Sequence, residues 1–329
     1  MRKLIFILLV PLVIACGEET KEGKQKKRVG PVQSAPYELL VVCDKSWYDS
    51  ETGAGFKDFV NSKIEGMPQD ESIFKVICIN HEGFSKTYSV FGCIIFVHLG
   101  QKYKEAEVRY AKNVYARPQV VITINAPDSK ALDQLIEDRG QAVIDRCVDN
   151  EMGRSVELLR KDYSGIVDEN ARKLFGCSWH VPSQINMIKT AENFFWASSP
   201  DNTYNACMYS YPLAADAMTK KNFCHNRDSA MYFNIEGEEW GQHMETDTST
   251  VRVRERLIEG EHLLEVRGLW DMKNDAMGGP FVAYARLDST TGRMIVTEGF
   301  VYLPNKSKKK QIHSLEAALR TLKTVPKHK

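Results

Sequence analysis

Tyr37-Glu38-Leu39-Leu40-Val41-Val42-Cys43 (YELLVVC) is apolar at every position but one and runs straight into Asp44. A short, continuous run of this kind, β-branched in part, predicts a strand buried on both faces, as in a parallel sheet covered by helices. The residues that follow support that setting. Gly53-Ala54-Gly55 introduces a predicted helix in which Phe56, Phe59, Val60 and Ile64 share one face by helical spacing, and Gly66-Met67-Pro68 ends it. Phe74–Asn80 (FKVICIN), Cys93–Leu99 (CIIFVHL) and Gln119–Asn125 (QVVITIN) repeat the strand pattern, with a helix predicted over Tyr103–Val114.

Asp128 or Ser129 can cap the next helix, since either side chain can accept from the free amides of its first turn. Leu132, Leu135, Ile136, Val143, Cys147 and Val148 give that helix a broad apolar face, with Gly140 and Gly153 expected to bend or interrupt it. Helical spacing resumes over Ser155–Arg160 and Asp168–Leu174 and closes at Gly176. Strands alternating with helices predict an α/β subdomain over residues 37–176.

Beyond Gly176 the texture changes. Trp179–Ile188, Asn193–Ala197 and Thr203–Tyr211 read as strands or hairpin arms, and Asp216–Phe223 and Val251–Ile258 as short helices. His262–Asp271, Phe281–Leu287 and Met294–Tyr302 read as further strands. A last helix after Pro304 carries Ile312, Leu315, Ala318, Leu319 and Leu322 on one side. The expected fold class is therefore α+β: an α/β-like N-terminal half, then a mostly antiparallel sheet with helices in the C-terminal half, over residues 177–325.

The N-terminus specifies an address. Met1-Arg2-Lys3 is positive, Leu4–Ile14 is apolar except for Pro11, and Ala15-Cys16 precedes the polar Gly17-Glu18-Glu19. The apolar run is far short of the ~20 residues a membrane-spanning helix needs, so it reads as a secretory signal. A small residue before a cysteine at the cleavage point resembles the bacterial lipoprotein signal, although Val13 and Ile14 stand where that signal usually carries Leu and a small residue. The resemblance implies residues 1–16 as signal, with Cys16 acylated by chains such as palmitate and forming the mature N-terminus. Residues 17–36, rich in Lys and Glu and poor in apolar side chains, read as a flexible tether. The expected location is the cell envelope, lipid-anchored, at the outer membrane, on a face the sequence leaves open.

Composition narrows the function. With Arg2 and Lys3 removed, 42 basic residues stand against 43 acidic ones, a balance that offers no nucleic-acid footprint. Seven cysteines remain beyond Cys16, an odd number with no CxxC spacing. Buried free thiols and one or more bridges both stay open, and neither a thioredoxin-like site nor a cysteine-rich zinc site is indicated. Nothing in the residue pattern calls for a cofactor or a metal. HExxH, GxSxG, Walker and GxGxxG motifs are absent, which points toward a binding or structural module rather than an enzyme.

The hydrolase alternative rests on a few local groupings. Cys224-His225-Asn226-Arg227-Asp228 could set a histidine base against an orienting carboxylate, His225 and Asp228 being one helical turn apart. Asp44 lies just past the first strand, where open α/β sheets place ligand loops. Trp47 and Tyr48 beside it could stack on a flat ligand. Cys78 with His81, His180, and Glu236, Glu238 and Glu239 near His243 are weaker groupings, better read as strand-end and loop residues.

The whole mature chain resembles an uncharacterised family of Bacteroidota lipoproteins known only as a domain of unknown function. The likeness rests on YELLVVCD at Tyr37–Asp44, WHVP at Trp179–Pro182 and GFVYLPNKSK at Gly299–Lys308. It implies an envelope location, with an envelope protein or glycan as the expected partner, and transfers no catalytic residue.

Overall fold

A computed structural model describes residues 29–258 and 260–324. Cys16, with the expected signal and most of the expected tether, lies outside the described residues. From Gly30 the chain is bonded to the folded body: Gly30–Pro31 pairs in parallel with Ala116–Arg117, and the Gln33 amide donates to the Val90 carbonyl.

The first unit holds β1 (Glu38–Val42), α1 (Ala54–Val60), β2 (Lys75–Ile79), β3 (Cys93–Leu99), β4 (Glu107–Lys112), β5 (Val120–Ala126) and α2 (Ser129–Leu159). Its sheet order is β2-β1-β3-β5-β4, parallel throughout except for β4, which runs antiparallel to β5 at the edge. Strand alternation splits β1 between two faces. Leu39, Val41 and Cys43 pack with Phe56 and Val60 of α1 and Leu132, Val143 and Ile144 of α2. Leu40 and Val42 meet a thinner layer of Phe84, Tyr88, Phe91 and Phe96.

α2 starts as its sequence predicts, with the Asp128 carboxylate accepting from the Ala131 amide. It then runs unbroken for 31 residues, about 46 Å at 1.5 Å per residue. Gly140 does not interrupt it; a Cβ there would sit 2.9 Å from the Phe59 ring, and its absence lets α1 pack close. The first part of α2 covers the first sheet. Its last turns, through Met152 and Leu159, enter the core of the second unit.

The second unit continues with α3 (Gly165–Phe175), β6 (Met187–Ala191), β7 (Phe194–Ser198), β8 (Tyr204–Pro212), α4 (Lys220–Asn234), β9 (Met244–Ile258), β10 (Glu261–Met272), β11 (Gly278–Asp288), β12 (Arg293–Val301) and α5 (Lys309–Leu319). Its seven strands form one antiparallel sheet in the order β9-β10-β11-β12-β8-β7-β6, with a register shift in β9 between Asp247 and Arg252. One face buries Phe195, Met208, Leu263, Tyr284 and Ile295 against α5. The other buries Tyr209, Leu264, Trp270, Phe281 and Val296 against α4.

The fold is mixed α+β, and the expected class needs correction. The large antiparallel sheet lies in the C-terminal half, but helices occur throughout the chain, and the longest of them, α2, belongs to the first half. The two sheets stay separate. Three segments change type: Trp179–Ile188, expected as a strand, is irregular up to Asn186. Glu107–Lys112 is an edge strand where a helix was expected, and Val251–Ile258 ends the long strand β9. Both are edge segments whose exposed charges blur the period-2 signal. In Val251-Arg252-Val253-Arg254, alternate residues still face inward.

Candidate functional site

At the carboxyl end of the first sheet, Asp44 and its neighbours bond to one another. The Asp44 carboxylate accepts from the Ser46 and Trp47 amides and the Ser46 hydroxyl, which caps the short helix Lys45–Tyr48. Those bonds, led by the Ser46 hydroxyl, hold its pKa below the ordinary value. The Lys45 amide donates to Asn80 Oδ1, and the Trp47 indole N–H donates to Ser129 Oγ. Trp47 and Tyr48 both pack on Phe56; Tyr48 is buried and presents no face to a ligand, whereas Trp47 is half-buried. Cys78 and His81 point to different partners: Cys78 meets the Cys43 thiol at 3.5 Å, and His81 meets the Val97 carbonyl. The seven described cysteines are all free.

The structure does not bring His225 and Asp228 together. His225 is exposed on α4 with no hydrogen-bond partner among the described residues, whereas Asp228 accepts from the Thr246 hydroxyl. Burial pushes the Asp228 carboxyl above its ordinary pKa. Cys224 is buried in the core beneath α4. His180 lies flat on Tyr163. Among the described residues, no group of three or more His, Cys, Asp or Glu side chains is placed to hold a metal.

Between these two candidates stands a residue that pattern reading passes over. Arg227 is fully buried and donates through Nε and Nη2 to the equally buried Glu298 carboxylate, and through Nη1 to Thr246. Its guanidinium also lies 4.2 Å from the Phe281 ring centroid. Burial opposes its charge, but the Glu298 carboxylate outweighs that penalty and raises the Arg227 pKa. The pair is sealed under α4 and serves the core.

The open site lies where the two units meet. A cleft of about 590 Å³ is walled by the entry to β1, the end of α2, the Pro182–Gln184 loop and one side of α5. Local bonds fix each wall. The Tyr37 backbone takes a positive φ of 61° and its amide donates to the buried Glu151 of α2. Arg154 pairs with Glu151 and donates to the Ser34 carbonyl, which fastens the entry segment to α2.

The start of α5 is capped from the other unit. Glu71 accepts from the Lys308 and Lys309 amides at 2.8 and 3.0 Å, and from the Ser307 hydroxyl. Burial would raise the Glu71 pKa, but these donors outweigh it and lower it. The His313 Nε2–H of α5 donates to the Ile73 carbonyl, and the Lys309 ammonium donates to the Ser72 carbonyl. Burial also lowers the Lys309 pKa.

The cleft is lined mostly by carbon, from Pro36, Tyr37, Leu158, Leu159, Pro182 and Ala317, with Ser155, Ser183, Gln184, His313 and Ser314 among them. Its rim carries Lys75, Lys161, Lys309 and Lys310 against Glu38 and Asp162. No part of this cleft was predicted, because four distant segments supply its walls and none has a motif of its own.

On the far side of His313 lies a smaller, charged cavity of about 360 Å³, lined by Arg254, Arg256, Arg267 and Arg320 with Glu65, Glu265 and Glu316. Its charges are largely paired: Arg267 bridges Glu265 and Glu316, and Arg254 meets Glu65.

Two family models of unknown function match the chain. Residues 33–160 match domain of unknown function DUF8532, and residues 165–321 match domain of unknown function DUF4837. Each span corresponds closely to one unit of the fold. No curated protein matches. Among solved structures, the chain is similar to the Ran-binding protein Mog1p of Saccharomyces cerevisiae, at 9% identity and a TM-score of 0.32, over 46% of this chain and 90% of that one. A mutant of protein Mog1 gives 10% identity and a TM-score of 0.30 over 46% and 92%. At such scores the likeness carries no argument.

Proposed function

We propose that the chain is a binding module of the cell envelope, anchored to the membrane by acylated Cys16, with its ligand seat in the cleft between the two units. The cleft itself carries this reading. It is large enough for a small molecule, within the ~300–1,000 Å³ usual for such sites, and it has the apolar lining and few polar groups that they share. The entry segment is bonded to α2, and α5 is bonded across to the first unit at Glu71, Ser72 and Ile73. The entry segment Ala35–Tyr37, which follows the anchor in the chain, forms one wall. The ligand is a component of the envelope in which the anchor places the body.

Two measurements test the two parts. Cys16→Ser should abolish acyl labelling and move the protein out of the membrane fraction; unchanged labelling and fractionation would remove the anchor. Full-length protein isolated from membranes should carry a small molecule, seen by mass spectrometry, that Ser314→Trp eliminates by filling the cleft. Identical extracts from both proteins would count against the seat.

A further inference from the structure

We infer that the cleft takes a single-chain amphiphile with a carboxylate head, of the long-chain fatty-acid class; the inference rests on the cleft being the ligand seat. Three features favour this class. Most of the cleft surface is carbon, with Ser155, Ser183, Gln184, His313 and Ser314 also lining it, and Leu158 stands 53% exposed at it, where an alkyl chain would cover it. The rim carries four lysines against two carboxylates.

Two of those lysines are engaged, Lys75 with Glu38 and Lys309 with the Ser72 carbonyl. Lys161 and Lys310 make no side-chain hydrogen bond or ion pair among the described residues, and they are the cations left for an anionic head. Other ligand chemistries lack a matching surface. A glycan needs an exposed aromatic face, but Tyr37, the one aromatic side chain among the cleft's carbon-rich residues, is 5% exposed and stacked on His313. An extended peptide needs a sheet edge, and the long walls are helices.

The test uses the full-length acylated protein in lipid nanodiscs, titrated calorimetrically with dodecanoate, dodecanol and dodecylamine against empty nanodiscs. Dodecanoate should bind saturably, one per chain, at least tenfold tighter than the other two. Each methylene removed from the chain should weaken it about fourfold, the equivalent of ~0.8 kcal/mol. Lys161→Gln with Lys310→Gln should erase the preference for carboxylate while leaving dodecanol binding unchanged. Ser314→Trp should abolish binding of all three, and Leu158→Glu, at an exposed position that cannot unfold the core, should weaken dodecanoate most. Equal affinity for the three heads overturns the ligand class and leaves the seat intact. No saturable binding by any probe overturns the inference, while a bound component lost in Ser314→Trp would still uphold the seat. Dodecanoate binding that survives both Ser314→Trp and Leu158→Glu overturns the inference and the seat together.

Discussion

The ring of Tyr37 lies flat on the imidazole of His313, with centroids 3.6 Å apart and planes within 5°. The two residues open the first unit and close the second, so this stack joins the ends of the folded body. The Tyr37 hydroxyl is buried without a hydrogen-bond partner. Stability therefore comes from the ring. Tyr37→Phe should change unfolding free energy by less than about 1 kcal/mol, whereas Tyr37→Ala should cost about 3–5 kcal/mol, as aromatic truncations in cores do. Urea denaturation of the two variants separates these outcomes.

The buried Arg227–Glu298 pair gives a second expectation. Removing one partner strands the other charge in the core, which costs about 3–5 kcal/mol. Arg227→Met and Glu298→Leu should each destabilise by that order, and the double variant should recover most of the loss. A double-mutant cycle by denaturation measures it.

Glu316 ties stability to pH. Burial alone would raise its pKa, but the Arg267 charge and then His313 outweigh it, and the carboxyl is held down at about 2. An unfolded glutamate titrates near 4.3. The folded value is the lower one, so the contribution is complete above roughly pH 5 and disappears as pH falls toward 2. It is on the order of 3 kcal/mol. Glu316→Gln should be less stable than wild type at pH 7 and should show a flatter loss of stability between pH 5 and 2.

Gly279 tests the packing of β11. A Cβ there would lie 2.0 Å from the Val301 carbonyl oxygen, a backbone atom that cannot swing aside. Gly279→Ala should cost about 1–3 kcal/mol by overpacking, and it should speed amide exchange in β11 and β12, where the strands must part.

Much of the first sheet was legible because strands buried on both faces are written as unbroken apolar runs, as at Leu39–Val42 and Ile94–Val97. The edges were not. Glu107–Lys112 has a solvent face, and its charges at mixed spacing imitate a helix. Asp128 gave α2 its start, but the glycine at 140 makes room for Phe59 of another helix, a contact no local pattern records. The groupings at Asp44 and at His225 with Asp228 were visible as residues but not as contacts, since neighbours in the chain point to different partners once folded. The Glu71 cap on α5 joins residues 236 to 238 positions apart, and the cleft it frames is likewise a product of tertiary assembly.

The margins of the seven-stranded sheet have a consequence for how copies of this protein behave when crowded. One outer strand, β6, is five residues long with Lys189 at its centre. The other, β9, carries Arg252, Arg254, Glu255 and Arg256 and changes register midway. Short, charged or kinked borders deny a neighbouring chain the flat ladder it would need to zip on. A long, strongly hydrophobic sheet can thus sit at high local density without seeding fibrils from its rims.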